Sequence, residues 1–593
     1  MASPSPPPTP PSSPKETSSP TSAAATPCAA PAMPSADTAP TTPPSKAPSP
    51  STPTAVPTAT PPASTPAWTA PKSPTPTSTA CRDPRAKEST PAPTNSNPPA
   101  DVRSEPDRHT CASPPPALYC RARPRRPRTT LPGEHRTMPQ PEPHAGPPPQ
   151  AAAEAALRAG AELLLVAQPL DDAPDVRAWL DALEKGLPDA GLAGFAWRPP
   201  DAPLDIGHGV ALALRVDRLD HLGPALLDAR RRTIALHPDG SPAPAPAFVG
   251  GCAFLPDAPL PDHWEPFGTG TWLLPARRLT VHDDGRATLT RAWHRDGEHW
   301  TPADIHAHAI AGPHAQPLAD GEDQNAFETR VRAALDAIHS GHLRKVVLAR
   351  SRTVPRQRTP LAVLLLGLGA RYPRCTLFAF APGDGSLFAG VSPETLLAAH
   401  DGHIHTMALA GSAPRGTSPD EDLRHGNALL RDPKERQEHR LVVDDIRATA
   451  ERHGGTLHAP PEPDLLRLHN VQHLHTPFHG TLEQPDAALD LAAALHPTPA
   501  VGGQPRDAAL DWLRRTEAGA RGWYAAPFGA VHAPDRLHLV VALRSALFRG
   551  DQAALFAGAG ILAPSDPARE YHETRAKMDA LRALLAPTEP TEP

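Results

Sequence analysis

Cysteine is scarce in this chain: six in 593 residues, four of which (Cys28, Cys81, Cys111, Cys120) fall in the first 150. With no CxxC pair, that excludes a disulfide framework and a cysteine-based zinc site, and it suits a reducing cytoplasm. Long apolar runs are missing too. No stretch approaches 18 apolar residues and the N-terminus lacks the charged-then-apolar order of a secretory signal, so neither a membrane role nor export is expected. Nor does one charge dominate. The 58 Lys and Arg against 64 Asp and Glu leave −6, which argues against a nucleic-acid surface; the basic run RARPRRPR at 121–128 is a local exception.

Ile and Val are scarce in the first 150 residues, which hold 42 of the 84 prolines among mostly Ala, Ser and Thr. Such a segment buries too little apolar surface to offset chain entropy, so 1–147 is expected to be disordered, as is the short tail 588–593. Gly133-Glu134 would be encoded by a purine-rich, ribosome-binding-like stretch shortly before the codon for Met138. Either translation starts at Met138, with 1–137 lying upstream, or the segment is a genuine Pro-rich tail; a peptide from that region in the mass spectrum of the native protein would refute the internal start. Residues 148–587 have ordinary globular composition and ample length for one large core.

Within that part, 151–165 is helix-prone and 175–185 continues in kind. Short apolar runs broken by Gly, Pro and Asp follow, as in VALALRV, TIALH and AFVGGCAFL, and these read as antiparallel strands. Helices are expected at 327–340, 360–370, 433–453, 486–495 and 507–517, and from Pro567 onward. Strands are expected at 345–350, 375–381, 386–391, 470–475, 528–532, 537–548 and 552–559. The mixed order lacks a steady βαβ alternation, and no internal repeat stands out. The fold class is therefore α+β, one large domain of extensive antiparallel sheets flanked by helices.

Two helices carry an unusual acidic face. In DPKERQEHRLVVDDI, Asp432 caps, Pro433 fits the first turn, and Glu435, Glu438, Val442 and Asp445 follow one side at three- and four-residue steps. In SDPAREYHETRAK, Asp566 and Pro567 repeat that start, and Glu570 and Glu573 share a side. Either Lys434, Arg436 and Arg440 neutralise a solvated surface, or a hard dication such as Mg²⁺ sits between carboxylates. Lys345 opens the apolar strand KVVLAR, where it is either ion-paired or a desolvated general base. Glu394, after the Ser-Pro turn of GVSPETLL, is a helix-start glutamate or a positioned acid. Arg544, amid the apolar VVALRSALF, calls for an anion. The 30 histidines give no isolated one a special role, and most read as solvated.

Order and wording decide among these readings. HxxKVVLAR, GVSPETLL, ALAGSAPRG, KxRQEHRLVVDDI, NVQHL, HPTPAVGG, VALRSA and AGAGI…SDPxxEYxET together resemble the chorismate-utilising enzymes (the anthranilate synthase component I-like family), and within them the isochorismate synthases of siderophore and menaquinone type. The resemblance is dense over about 320–582 and loose over the preceding 170 residues; it makes 148–587 the catalytic domain. It implies Mg²⁺ held by Glu438 and Glu573 with Glu435 and Glu570 assisting, Lys345 as the base that activates water for attack at C2 of chorismate, and Glu394 as the acid that protonates the departing C4 hydroxyl. Substrate contacts fall to Arg544, to the backbone near Gly411, Gly558 and Gly560, and to Ser412, His473, Thr498 and Ala500.

Ammonia-using relatives carry other residue types where Lys345 stands, and salicylate synthases, the alternative activity, read differently at HPTPAVGG. Ser412 replaces the commoner Thr and Glu435 the frequent Asp, which keeps a hydroxyl and a carboxylate. Chorismate is the expected small-molecule partner, with no nucleic acid, membrane or obligatory protein partner.

Overall fold

The computed structural model describes residues 146–185, 192–304, 318, 320–356, 359–517 and 521–585. The candidate start at Met138, nearly all of the Pro-rich segment and the tail 588–593 lie outside them. Among the described residues the strands form two large sheets, of 13 and 10 strands. Neighbours pair antiparallel, except that Leu163–Leu170 runs parallel to Thr233–Leu236. The α+β architecture of antiparallel sheets flanked by helices is thus observed.

Two expectations fail locally. The helix at 151–165 ends at Arg158, and Leu163–Leu170 is a strand. Gly160 takes φ +70 and stops the helix, after which the Leu163–Val166 run is buried between strands. The single strand at 537–548 is two: Arg536–Val541 lies in the 10-stranded sheet, Ser545–Arg549 in the 13-stranded one. Between them Arg544 adopts φ +46, a left-handed backbone rare for a residue with a side chain.

A second crossing lies beside the first. Ser386–Ser392 belongs to the larger sheet and Thr395–His400 to the smaller, with Pro393 and Glu394 between. The two crossings hold each other: Val541 N–H donates to Glu394 O (3.0 Å), Val391 N–H to Arg544 O (3.2 Å) and Ser392 Oγ to Val541 O (2.5 Å). The chain therefore changes sheets twice at one place.

Helix Pro433–Arg452 begins as its sequence predicts, with Asp432 Oδ1 accepting from Glu435 N–H (3.0 Å). Val442, Ile446 and Ala450 pack it against the smaller sheet, each large aliphatic side chain contributing about 1.5–3 kcal/mol by burial. His439 joins that face, its Nε2 2.8 Å from Thr476 Oγ1 and its Nδ1 3.2 Å from Ala410 O. The last helix, Pro567–Leu585, lies along strand Gln552–Ile561 of the larger sheet. No described helix is long and apolar enough to cross a membrane.

Candidate active site

Strand Lys345–Pro355 lies between two of the glycine-bearing motifs. Val347 is opposite Gly560 and Ala349 opposite Gly558 on one side; Lys345 is opposite Gln504 and Val346 opposite Gly503 on the other. Lys345, first in this strand, has no solvent exposure, and its Nζ lies 2.9 Å from Glu438 Oε1. A Cβ at Gly560 would come within 2.4 Å of that same oxygen and 3.2 Å of Lys345 Cε, so glycine is what lets Glu438 and the lysine meet over this strand.

The cavity above this point has a volume of ≈ 100 Å³ and is lined by Glu394, Gly411, Ser412, Glu435, Glu438, His473, Ala500, Arg544, Gly558, Gly560 and Glu573. It shares Ser412, Lys434, Glu435, Glu573 and Lys577 with an outer concavity of ≈ 650 Å³, where Glu570 is found. Of the predicted site residues, Lys345 and Thr498 lie outside both linings; the Thr498 carbonyl accepts from Val501 and Gly502 and its Oγ1 from Ala500 N–H, so it shapes the turn that presents Ala500. Lys345 lies behind the lining, beside Glu438 and Gly560.

Each glutamate of the two acidic helices faces a lysine. Lys345 meets Glu438, Lys577 Nζ meets Glu573 Oε1 (2.7 Å), and Lys434 Nζ lies 3.5 Å from Glu435 and 3.3 Å from Glu570. Four carboxylates so near one another still leave their mark. Burial and then the neighbouring Glu438 push Glu435 up to about 6, and burial with Glu573 raises Glu570. Burial opposes ionisation of Glu573, but Lys577 outweighs it and holds this carboxyl below its ordinary value. Glu570 Oε2 is buried without a hydrogen-bond partner. No three described acidic, histidine or cysteine side chains converge on one point as they stand. The donor set of carboxylate oxygens, one of them orphaned, suits a hard dication that takes one or two carboxylates and keeps its water.

Glu394 is 2 % exposed, and burial pushes its carboxyl up to about 8, against the opposing pull of Lys345. It is therefore a neutral acid at pH 7. Across the cavity, Arg544 Nη2 donates to His473 Nε2 (2.7 Å), which as an acceptor must be the unprotonated nitrogen. The proton then sits on Nδ1, 3.0 Å from Ser412 Oγ, and burial with Arg544 beside it holds the imidazole neutral. Arg544 Nη1 is buried with no partner, an arginine still lacking its anion. Gly411, at φ +79 in a bulge between Ala410 and Ser412, turns Ser412 N–H toward Glu435 Oε2 (2.9 Å).

Two lining residues went unread in the sequence. Lys577 donates to Gly558 O (2.9 Å) as well as pairing with Glu573; its signal was the four-residue step from Glu573 on one helix face. Tyr524 closes the cavity wall, and nothing local marked it. Asp445, which follows Glu435 and Glu438 along the same side of the helix, lies outside both linings.

The arrangement offers a neutral acid, a buried lysine, an anion-seeking arginine and a carboxylate pair for a dication. Comparison with known proteins agrees in kind. Residues 193–586 match the family model described as chorismate binding enzyme. The chain is 38% identical over 358 residues to the salicylate biosynthesis isochorismate synthase of Pseudomonas aeruginosa, covering 58% of this chain and 75% of that protein. It is 34% identical over 359 residues to isochorismate synthase MenF of Bacillus subtilis, with the same coverage. Among solved structures, the menaquinone-specific isochorismate synthase MenF of Escherichia coli superposes with TM-score 0.57 at 27% identity, over 73% of this chain and 99% of that one.

Proposed function

The chain belongs to the chorismate-binding enzyme family, and from that premise we propose that it is an isochorismate synthase, an isomerase that adds water at C2 of chorismate and loses the C4 hydroxyl. The observation that carries the reading is a fully buried lysine, paired with the cavity-lining Glu438, close to a cavity-lining acid that burial keeps protonated at pH 7. The water chemistry follows from the residue types. Lys345 takes a proton from water as its oxygen bonds to C2, the ring double bonds shift, and Glu394 gives its proton to the hydroxyl leaving C4 as water. One water enters and one departs, so the ring is isomerised with no net addition. Lys345 ends protonated and Glu394 ionised, and exchange with solvent resets both.

Lys345 can face that water only after its nitrogen leaves Glu438. Arg544, with an unpartnered Nη1, would hold a substrate carboxylate, backed by His473 and Ser412 in the tautomer described. Glu438 and Glu573 would hold Mg²⁺, with Glu435 and Glu570 orienting them. The bound dication supplies positive charge against the ring carboxylate and draws electron density from the ring. Isochorismate leads to catechol siderophores or menaquinone; the genes adjoining this one assign the branch.

Incubating the full chain with chorismate and Mg²⁺ and separating products by chromatography tests the proposal. Isochorismate alone, lost on chelation, is expected. Salicylate with pyruvate, or an aromatic amine that needs ammonia, would overturn it.

A further inference from the structure

A second concavity, of ≈ 800 Å³, opens where the smaller sheet meets residues of strand Ala193–Arg198 and the turn after it. Seven of its lining residues are histidines and one is a carboxylate, Asp205, which is occupied by Thr280 and Arg278. Strand register explains the concentration. His458, on Gly455–His458, stands directly opposite His479 on Val471–Leu482, and His479 stands directly opposite His405 on His403–Pro414. Three imidazoles thus form a line across three neighbouring strands, where opposed Cβ atoms are about 4.5–5.5 Å apart. Ala398 is opposite both His405 and His538, so His538 extends the same row two strands farther on.

Two details point to an occupant. His405 Nδ1 lies 2.8 Å from Phe478 O, and since a carbonyl only accepts, the proton is on Nδ1 and Nε2 keeps its lone pair. An imidazole that donates one nitrogen to a backbone carbonyl and offers the other is the arrangement of a metal-ligating histidine. Farther along, His538 Nε2 is buried against the groove with no hydrogen-bond partner, its ring held edge-on by Trp197 at 5.6 Å and 89°. At present His405 and His479 stack at 4.5 Å and 26°, and no three described ligand-type side chains converge on one point. His479 and His458 are exposed, so their rings can turn about their side-chain bonds without repacking the core. Two nitrogens at about 2.0–2.1 Å from one ion are within reach of directly opposed residues.

We propose that this row is a binding site for a borderline divalent transition ion such as Zn²⁺ or Co²⁺, held by His479 with His458 and His405. Imidazole without carboxylate selects such ions over Mg²⁺, the reverse of the carboxylate-lined cavity at the other end of the same strand. His479 and His473 are six residues apart on that strand, so they share a face and stand about 20 Å from each other. The ion would therefore lie too far from the cavity to touch a substrate there.

The test uses the untagged full chain, stripped by chelator and held in excess Mg²⁺ so that the carboxylates are saturated. Co²⁺ is titrated in, following its visible absorption, and Zn²⁺ affinity is measured by competition with a chromophoric chelator. The expected result is one tight ion per chain, whose affinity drops at least tenfold in the His458→Ala, His479→Ala double variant and again when His405→Ala is added. Unchanged far-ultraviolet circular dichroism and melting temperature of the metal-free variants show that the sheet is intact. Equal affinity in wild type and triple variant would overturn the proposal, because the ion would then sit elsewhere; so would the absence of tight binding by the wild type.

Discussion

Strand Val471–Leu482 carries His473 and His479 on one face, and the two could hardly differ more. His473 is buried and committed: Arg544 donates to one nitrogen, Ser412 takes the other, and burial keeps the ring neutral. His479 is exposed and merely stacked on His405. The same residue type on the same face is a fixed part in one place and an adaptable one in the other. The difference comes from neighbouring elements, because the bulge at Gly411 and the sheet crossing at Arg544 surround His473, while His479 stands between two strands of its own sheet at an open concavity. Change near the cavity should therefore be costly in activity, and change in the histidine row should not.

The largest effect is expected from Lys345→Ala, which should lower kcat by about 10³- to 10⁴-fold while chorismate binding stays measurable by calorimetry. A variant that keeps full turnover would erase the catalytic side of the contrast. Glu394→Gln comes next, with a loss of about 10²-fold or more. Wild-type kcat should fall as pH rises through about 8, where Glu394 loses its proton. Stability carries the same sign. The folded chain keeps a proton on Glu394 from the ordinary carboxyl range up to about 8, so that contribution is complete at acid pH and is lost as pH climbs through about 8. Thermal melts should show Glu394→Gln gaining on wild type at pH 9, with the gap closing near pH 4.

A smaller effect is expected from Gly560→Ala. Its methyl would sit 2.4 Å from Glu438 Oε1, and the displaced carboxylate should cost 10- to 100-fold in turnover, with more Mg²⁺ needed for half-maximal rate. Rates and Mg²⁺ dependence like those of wild type would show that the close approach at Gly560 is dispensable. Smallest of all, His479→Ala should leave kcat and KM for chorismate within about twofold, as expected of an exposed side chain outside the cavity. A large loss there would collapse the distinction between the two ends of the strand.

Much of the cavity was legible because it rests on local wording. Asp432 and Pro433 announce the helix that presents Glu435 and Glu438, and a lysine heading an apolar strand announces its own burial. Arg544 was read as lying inside one strand, since Val540, Val541, Ala542 and Leu543 look continuous; the break follows from which sheet each half joins, a tertiary choice that composition does not encode. Tyr524 left no local trace for the same reason. The histidine row was invisible, and its members even read as solvated. Residues 405, 458 and 479 are brought into line by the register of three strands, and register is fixed by the whole sheet rather than by any segment.

The double crossing at Glu394 and Arg544 gives the cavity a mechanical meaning as well as a chemical one. Both residues sit where the backbone passes from one sheet to the other, and hydrogen bonds tie the two passages together. An anion gripped by Arg544 is thus a rivet through both layers. Its binding energy should appear as resistance of the two sheets to coming apart, so that saturating ligand raises the melting temperature of the catalytic domain as one cooperative unit.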